Sequence, residues 1–155
     1  MVKLVFLGSF PICFVETLLI LYRIGIKCND MNLNQVTVPS VNIPTAIEFY
    51  KRLGLKLIVE ALPHYARFEC PDGTSTFSVH RTDQLPDGDG TYVYFECDDL
   101  DATVASLRAA GTIFEELPND KSWLWREARL RDPDNNIIIL YYAGDNRKNP
   151  PWRLN

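Results

Sequence analysis

Hydrophobic and polar residues near the C-terminus alternate in a way that predicts a β-hairpin. Residues 123–131 and 136–142 are each typical of a strand, and the polar residues 132–135 join them. Pro133 presets the backbone for a tight turn, and Asn135 tolerates the positive φ that such a turn needs. The second run is continuous, β-branched and aromatic, which predicts a central strand with a covered face.

A second hairpin of the same kind occurs earlier in the chain. Residues 68–77 contain the turn Pro71-Asp72-Gly73 between two strand-like runs. The stretches upstream of the two hairpins, residues 35–54 and 92–111, also align with each other at a nearly equal offset. The chain is therefore predicted to contain a duplicated module.

The first module, residues 33–80, is predicted to run strand, helix, strand, strand, strand. Asn42 is expected to cap the helix, Pro44 suits its first turn, and Gly54 is expected to end it. Apolar residues recur at helical spacing between these signals. They are Ile43, Ala46, Ile47, Tyr50 and Leu53. The strands are predicted over residues 33–38, 55–62, 64–69 and 74–80.

The second module, residues 91–142, repeats this order after a Pro- and Gly-containing linker at residues 81–90. Its helix is expected to begin at Asp98 or Asp99 and to end at Gly111. Its strands are predicted over residues 91–97, 112–117, 123–131 and 136–142. The predicted fold class is α+β, with two βαβββ modules. Residues 144–155 are expected to form an extended arm, in which Trp152 docks on the body or on a partner subunit.

Composition and charge exclude several classes of function. The chain has 155 residues, 46% of them hydrophobic, and a formal charge of −4, which suits one soluble domain with a sizeable core. The mild acidity argues against nucleic acid as a partner. Four widely spaced cysteines without a CxxC pair argue against a disulfide framework or zinc knot. A reducing compartment, and hence the cytoplasm, is the expected location.

The N-terminal extension, residues 1–30, has a different character. Residues 4–21 are almost wholly apolar, with Lys3 before them, Arg23 after them and Glu16 inside. Three interpretations stay open: a start assigned too far upstream, a signal or membrane segment, and an extra packed element. Contact with a membrane is expected only if this segment belongs to the protein.

Several short motifs resemble the vicinal oxygen chelate superfamily, which includes glyoxalase I, extradiol dioxygenases and bleomycin resistance proteins. They are Gln35-Val36-Thr37-Val38-Pro39, Asn42-Ile43, Phe49-Tyr50, Leu53-Gly54-Leu55 and the turn Asp132-Pro133-Asp134-Asn135, where Asn replaces the usual Gly. The resemblance covers about residues 31–143. It implies a glyoxalase-like domain in which the modules form curled mixed sheets around an open cavity. It also implies a homodimer.

The resemblance further implies a position for one divalent metal ion. Members that bind metal take a ligand from the first and last strand of each module, and these positions fall on Gln35, Ser78 or Phe77, Tyr92 and Ile139. Only Gln35 is an acceptable ligand, so no metal is expected at the usual place. A displaced site would need other donors, which Gln35, His80 and Glu96 could supply for Ni, Co, Mn, Fe or Zn.

Strand alternation indicates which side chains face the predicted cavity. His80 shares a face with Ser78, and Trp125 shares one with Glu127 and Arg129. Tryptophan and tyrosine beside charged groups suit a wall that stacks a flat ligand. The predicted ligand-binding residues are Gln35, His80, Tyr92, Tyr94, Trp125 and Arg129.

Three functions remain open on the sequence alone. The first is a binding protein that holds a small, partly aromatic molecule in the cavity without the family's metal ligands. The second is a metal-dependent lyase, isomerase or dioxygenase of the glyoxalase type, in which Glu127 or Glu96 moves the proton. The third is a structural or regulatory domain whose cavity is closed by its own side chains.

Overall fold

The first module forms a four-stranded mixed sheet covered by one helix. The computed structural model describes residues 32–154, so the predicted extension over residues 1–30 lies outside the described residues. The elements are β1 (Gln35–Ser40), α1 (Ile43–Arg52), β2 (Lys56–Ala61), β3 (Tyr65–Glu69) and β4 (Thr76–Arg81). The sheet order is β1-β4-β3-β2, with β1 parallel to β4 and the other pairs antiparallel.

The second module repeats this arrangement. Its elements are β5 (Tyr92–Glu96), α2 (Leu100–Ala109), β6 (Glu116–Asp120), β7 (Arg126–Arg131) and β8 (Ile137–Tyr142). The sheet order is β5-β8-β7-β6, with β5 parallel to β8. The predicted α+β fold of two βαβββ modules is confirmed, and the sheets do not close. Neither helix is long and apolar enough to span a membrane, within residues 32–154.

Both helices begin and end at the residues that the sequence indicates. The Asn42 side chain accepts a hydrogen bond from the Thr45 backbone N–H at 3.2 Å, and the Asp99 side chain accepts one from Ala102 at 3.0 Å. Gly54 follows α1 with a φ of 95°, a conformation that favours glycine. These caps satisfy backbone groups that a helix end otherwise leaves unpaired.

The core lies between each sheet and its helix. In α1 the buried side chains are Ile43, Ala46, Ile47 and Tyr50. The Tyr50 ring packs on Phe77 of β4 with the ring centroids 4.6 Å apart. One connected cluster of buried side chains includes residues of both modules, so the modules share a hydrophobic core.

The β7–β8 turn links the second module to the first. The Tyr50 hydroxyl donates a hydrogen bond of 2.6 Å to Asp132, and the Asn136 side chain donates one of 3.0 Å to the Pro39 carbonyl. The Val41 backbone N–H donates to the Asp134 carboxylate at 2.8 Å. Desolvation, followed by the neighbouring charge of Asp132, raises the pKa of Tyr50 well above its usual value, so its hydroxyl remains a donor.

The largest differences from the predicted boundaries lie in the second module and the tail. The strand expected at 112–117 lies at Glu116–Asp120, because Thr112 still donates its backbone N–H to Leu107 and so belongs to the end of α2. The strand expected from residue 123 begins at Arg126, because Leu124 takes a φ of 65° in a tight turn. The tail is not fully extended, since Gly144–Arg147 form a 3-10 helix.

Candidate functional site

Each sheet has one face that its helix covers and one that it leaves free. Strand alternation places a polar set of side chains on the helix-free face of the first module. This set consists of Gln35, Thr37, Tyr65, Arg67, Thr76, Ser78 and His80. The helix-free face of the second module is aromatic and charged. It carries Tyr92, Tyr94, Glu96, Glu127, Arg129, Arg131, Ile137, Ile139 and Tyr141.

Hydrogen bonds centred on Ser78 organise the first of these faces. Gln35 Nε2 donates to Ser78 Oγ at 2.6 Å, and the hydroxyls of Tyr65 and Ser78 are 2.8 Å apart. Arg67 Nε donates to the Tyr65 hydroxyl at 2.7 Å, while the Thr76 hydroxyl donates to Gln35 Oε1. Side chains that hold one another in this way form a fixed polar surface.

The strand register decides between Ser78 and Phe77 as the family's first-module position. Gln35 lies opposite Thr76, and Tyr92 lies opposite Ile137 in the equivalent pair of strands. Ser78 lies two residues after Thr76, as Ile139 lies two residues after Ile137. Ser78 is therefore the counterpart of Ile139. The Phe77 side chain is buried in the core on the other face.

The four family positions do not fit a divalent metal ion. The amide oxygen of Gln35 already accepts the Thr76 hydroxyl, and the Tyr92 hydroxyl donates to Asp89 at 3.2 Å. Ile139 has no donor atom for a metal.

In the displaced set of Gln35, His80 and Glu96, the Glu96 carboxylate pairs with Arg147 at 3.0 Å. Residues 32–154 contain no group of three or more His, Cys, Asp or Glu placed to hold an ion.

Three aromatic rings form a cluster on the second module. We call Tyr94, Trp125 and Tyr141 the aromatic cluster. Trp125 stacks on Tyr141 with a centroid distance of 4.7 Å, and Tyr94 meets these rings edge-on at 5.9 and 5.6 Å. Tyr94 is 45% exposed, so the cluster offers aromatic surface to a ligand.

Both phenols of the aromatic cluster stay protonated at neutral pH. Burial, followed by the charge of Glu127, raises the pKa of Tyr94. Burial and then the charge of Glu96 raise the pKa of Tyr141 to about 12. The two hydroxyls therefore act as neutral hydrogen-bonding groups.

A cavity adjoins the aromatic cluster at the junction of the modules. Its volume is about 500 Å³, and Tyr94, Glu96 and Tyr141 form part of its wall. Leu53 and Leu55 of the first module supply apolar surface to the same cavity. The lining is mixed, apolar and charged, and a cavity of this size suits a small organic ligand that carries polar groups.

Two arginines lie beyond the aromatic cluster on β7. Arg129 pairs with Glu115 at 2.9 Å, and its guanidinium lies 5.5 Å from the centroid of the Tyr92 ring. Arg131 pairs with Glu115 at 2.6 Å and with Asp89 at 3.1 Å. The hydrogen bond from Arg131 is the main reason that the pKa of Asp89 is lowered. Both arginines are therefore already neutralised by carboxylates.

The structure places the predicted ligand-binding residues in two groups. Gln35 is hydrogen-bonded within the first module, where the His80 ring also lies beside Tyr65 at 6.4 Å. The other four lie together on the second module: Tyr92, Tyr94, Trp125 and Arg129. Sequence reasoning did not select Tyr65, Arg67 or Tyr141, although strand alternation places all three on the helix-free faces. Asp89 lies in the linker, where no periodic pattern marks it.

Sequence comparison matches this chain to a known family. The profile of the Glyoxalase/Bleomycin resistance protein/Dioxygenase superfamily matches residues 32–140. The chain is also similar to the uncharacterized protein YraH of Bacillus subtilis (strain 168), with 28% identity over 127 residues, which cover 72% of this chain and 98% of YraH.

Solved structures show the same fold. A glyoxalase/bleomycin resistance protein/dioxygenase from Nocardioides superposes with a TM-score of 0.69 at 19% identity, covering 90% of this chain and 99% of that one. A bleomycin-binding protein complexed with bleomycin superposes with a TM-score of 0.61 at 17% identity, covering 72% of this chain and 98% of that one.

Proposed function

Because the chain belongs to the Glyoxalase/Bleomycin resistance protein/Dioxygenase superfamily, we propose that it binds a small, partly aromatic molecule without a metal at the family's usual positions. The observation that carries this proposal is the exposed aromatic surface beside the cavity. Tyr92 and Tyr94 are 42% and 45% exposed, and Trp125 packs beside Tyr94. Large aromatic side chains are normally buried, so such a surface favours a binding role.

The aromatic cluster supplies the apolar part of recognition. A flat ligand that stacks on either Trp125 or Tyr94 and meets the other ring edge-on removes apolar surface from water, which is favourable in proportion to the area. Gln35, His80 and Arg129 supply directed hydrogen bonds that select the ligand. The bleomycin complex of a protein with the same fold agrees with this interpretation, since its ligand is also a small molecule.

A homodimer is part of the same proposal. Leu117, Trp123 and Leu124 are exposed by 45% or more on the β6–β7 side of the second module. A second copy of the chain that covers this surface would remove it from water and enclose the ligand. Sedimentation of the purified chain checks this proposal, and a dimer is the expected species.

The experiment that tests the binding function replaces Trp125 by Ala. Calorimetric titration of the full chain with bleomycin and with 2-naphthol measures the affinity for each probe. We expect about fivefold weaker binding in the variant, since stacking on one ring contributes on the order of 1 kcal/mol. Trp152→Ala is the matched control, because Trp152 lies in the tail and is 56% exposed.

Two outcomes would contradict the proposal. One is that neither probe binds, and the other is that both tryptophan variants bind equally well. Metal analysis of the same preparation, purified without chelator, tests the competing enzyme function. Stoichiometric metal that is lost in His80→Ala would favour the metal-dependent lyase or dioxygenase.

A further inference from the structure

Glu127 is a buried carboxylate on the helix-free face of the second module, beside the aromatic cluster. Glu127 is only 6% exposed, and Trp123 Nε1 donates a hydrogen bond of 2.8 Å to its Oε1 atom. Glu127 lies opposite Tyr141 in the β7–β8 register, which places it at the edge of the aromatic cluster. Burying a carboxylate without an opposite charge is costly, so its presence here requires a reason.

Several other charged side chains near the aromatic cluster form ion pairs. Arg129 and Arg131 pair with Glu115 and Asp89. Lys121 pairs with Glu116 at 2.7 Å, and Arg147 pairs with Glu96 at 3.0 Å. Within residues 32–154, Glu127 is in no ion pair at all. Glu127 therefore places a buried negative charge without an opposite charge beside the aromatic cluster.

From this arrangement we propose that the aromatic cluster and Glu127 recognise an organic cation, such as an alkylated ammonium group carried on an aromatic ligand. The inference rests on the proposed binding function and names its ligand class. The negative faces of the rings attract a cation, and a nearby carboxylate adds a direct charge interaction. A cation at this place also compensates the buried charge, whereas an anion would be repelled by it.

The test compares ligands that have the same shape and different charge. The probes are (4-hydroxyphenyl)trimethylammonium, its neutral isostere 4-tert-butylphenol and the anion 4-hydroxybenzenesulfonate. Binding to the full chain is followed through its tryptophan fluorescence, to which Trp123 and Trp125 contribute. We expect the cation to bind at least about tenfold more tightly than the neutral isostere, and the anion to bind more weakly than either.

The variant Glu127→Gln removes the charge and keeps an oxygen that can accept the Trp123 hydrogen bond. We expect the preference for the cation over the neutral isostere to fall to about threefold or less, because the cation loses its charge interaction. Glu60→Gln is the control, because Glu60 is an exposed glutamate on β2 of the other module. It is expected to keep the full preference.

The outcomes separate this inference from the function on which it rests. Equal binding of the cation and the neutral isostere to the unaltered chain overturns the inference and leaves aromatic binding standing. Failure of all three probes to bind overturns both. If Glu127→Gln converts a dimer to a monomer and leaves the cation preference intact, Glu127 stabilises the contact with a second copy of the chain. The inference is then wrong.

Discussion

The hydroxyl of Tyr50 lies in the core, where it bonds to a carboxylate from the other module. Asp132 accepts this bond at 2.6 Å and also accepts from the Asn136 side chain at 2.8 Å. Two backbone N–H groups of the β7–β8 turn, those of Asp134 and Asn136, donate to its other oxygen. A buried carboxylate needs such partners, so the Tyr50 hydroxyl helps to stabilise the Asp132 carboxylate inside the protein.

Replacing Tyr50 by Phe is expected to lower the free energy of unfolding by about 1.5–3 kcal/mol, the range for a hydrogen bond to a charged group. Urea unfolding followed by circular dichroism measures this change. Tyr142→Phe is the matched control, because the Tyr142 ring is 49% exposed and its hydroxyl reaches water. A loss of equal size in both variants would show that the Asp132 bond contributes little.

At the scale of the elements, the sequence located the helices better than the strands. Asn42, Asp99 and Gly54 act within a few residues along the chain, so their effect is visible locally. The position of β6 depends instead on its pairing with β7, where Glu116 lies opposite Arg129 and a register shift follows. Pairing of this kind is a tertiary interaction, which hydrophobic periodicity does not reveal.

Gly54 provides a direct test of the local signal at the end of α1. Its φ is 95°, and no atom lies within 4 Å of the place where a Cβ would be, so a substitution introduces backbone strain without a clash. Gly54→Ala is expected to cost about 1–2 kcal/mol of stability, and Gly54→Asn less, because Asn adopts this conformation more readily. Thermal unfolding measures both, and equal losses for Ala and Asn would contradict the backbone explanation.

For the molecule as a whole, the sequence predicted which side chains lie on each face of the sheets. It did not predict which of them form hydrogen bonds and ion pairs with distant residues. Alternation placed Gln35 and Tyr94 on the helix-free faces, since a strand has a fixed period of two. It did not reveal that Trp123, in a turn with positive φ at Leu124, reaches Glu127. It also did not reveal that Asp89 of the linker pairs with Arg131, because contacts between distant segments have no local signature.

The shared core predicts that the two modules unfold together. Leu130 of β7 is fully buried and belongs to the same cluster as Phe68 and Val79 of the first module. Leu130→Ala is expected to destabilise the protein by about 2–5 kcal/mol through lost burial and a cavity. Because hydrogen bonds of the β7–β8 turn also join the modules, this loss should reach the first module.

Hydrogen exchange distinguishes joint from separate unfolding of the modules. If they unfold as one unit, the slowest amides of β3 and β4 in Leu130→Ala lose protection by the same free energy as those of β7 and β8. Leu130→Val, which removes less volume at the same position, should give a smaller loss that is again equal in both modules. Unchanged protection in β3 and β4 would instead mean that the first module holds its fold without the second, and that the turn contacts contribute little to cooperativity.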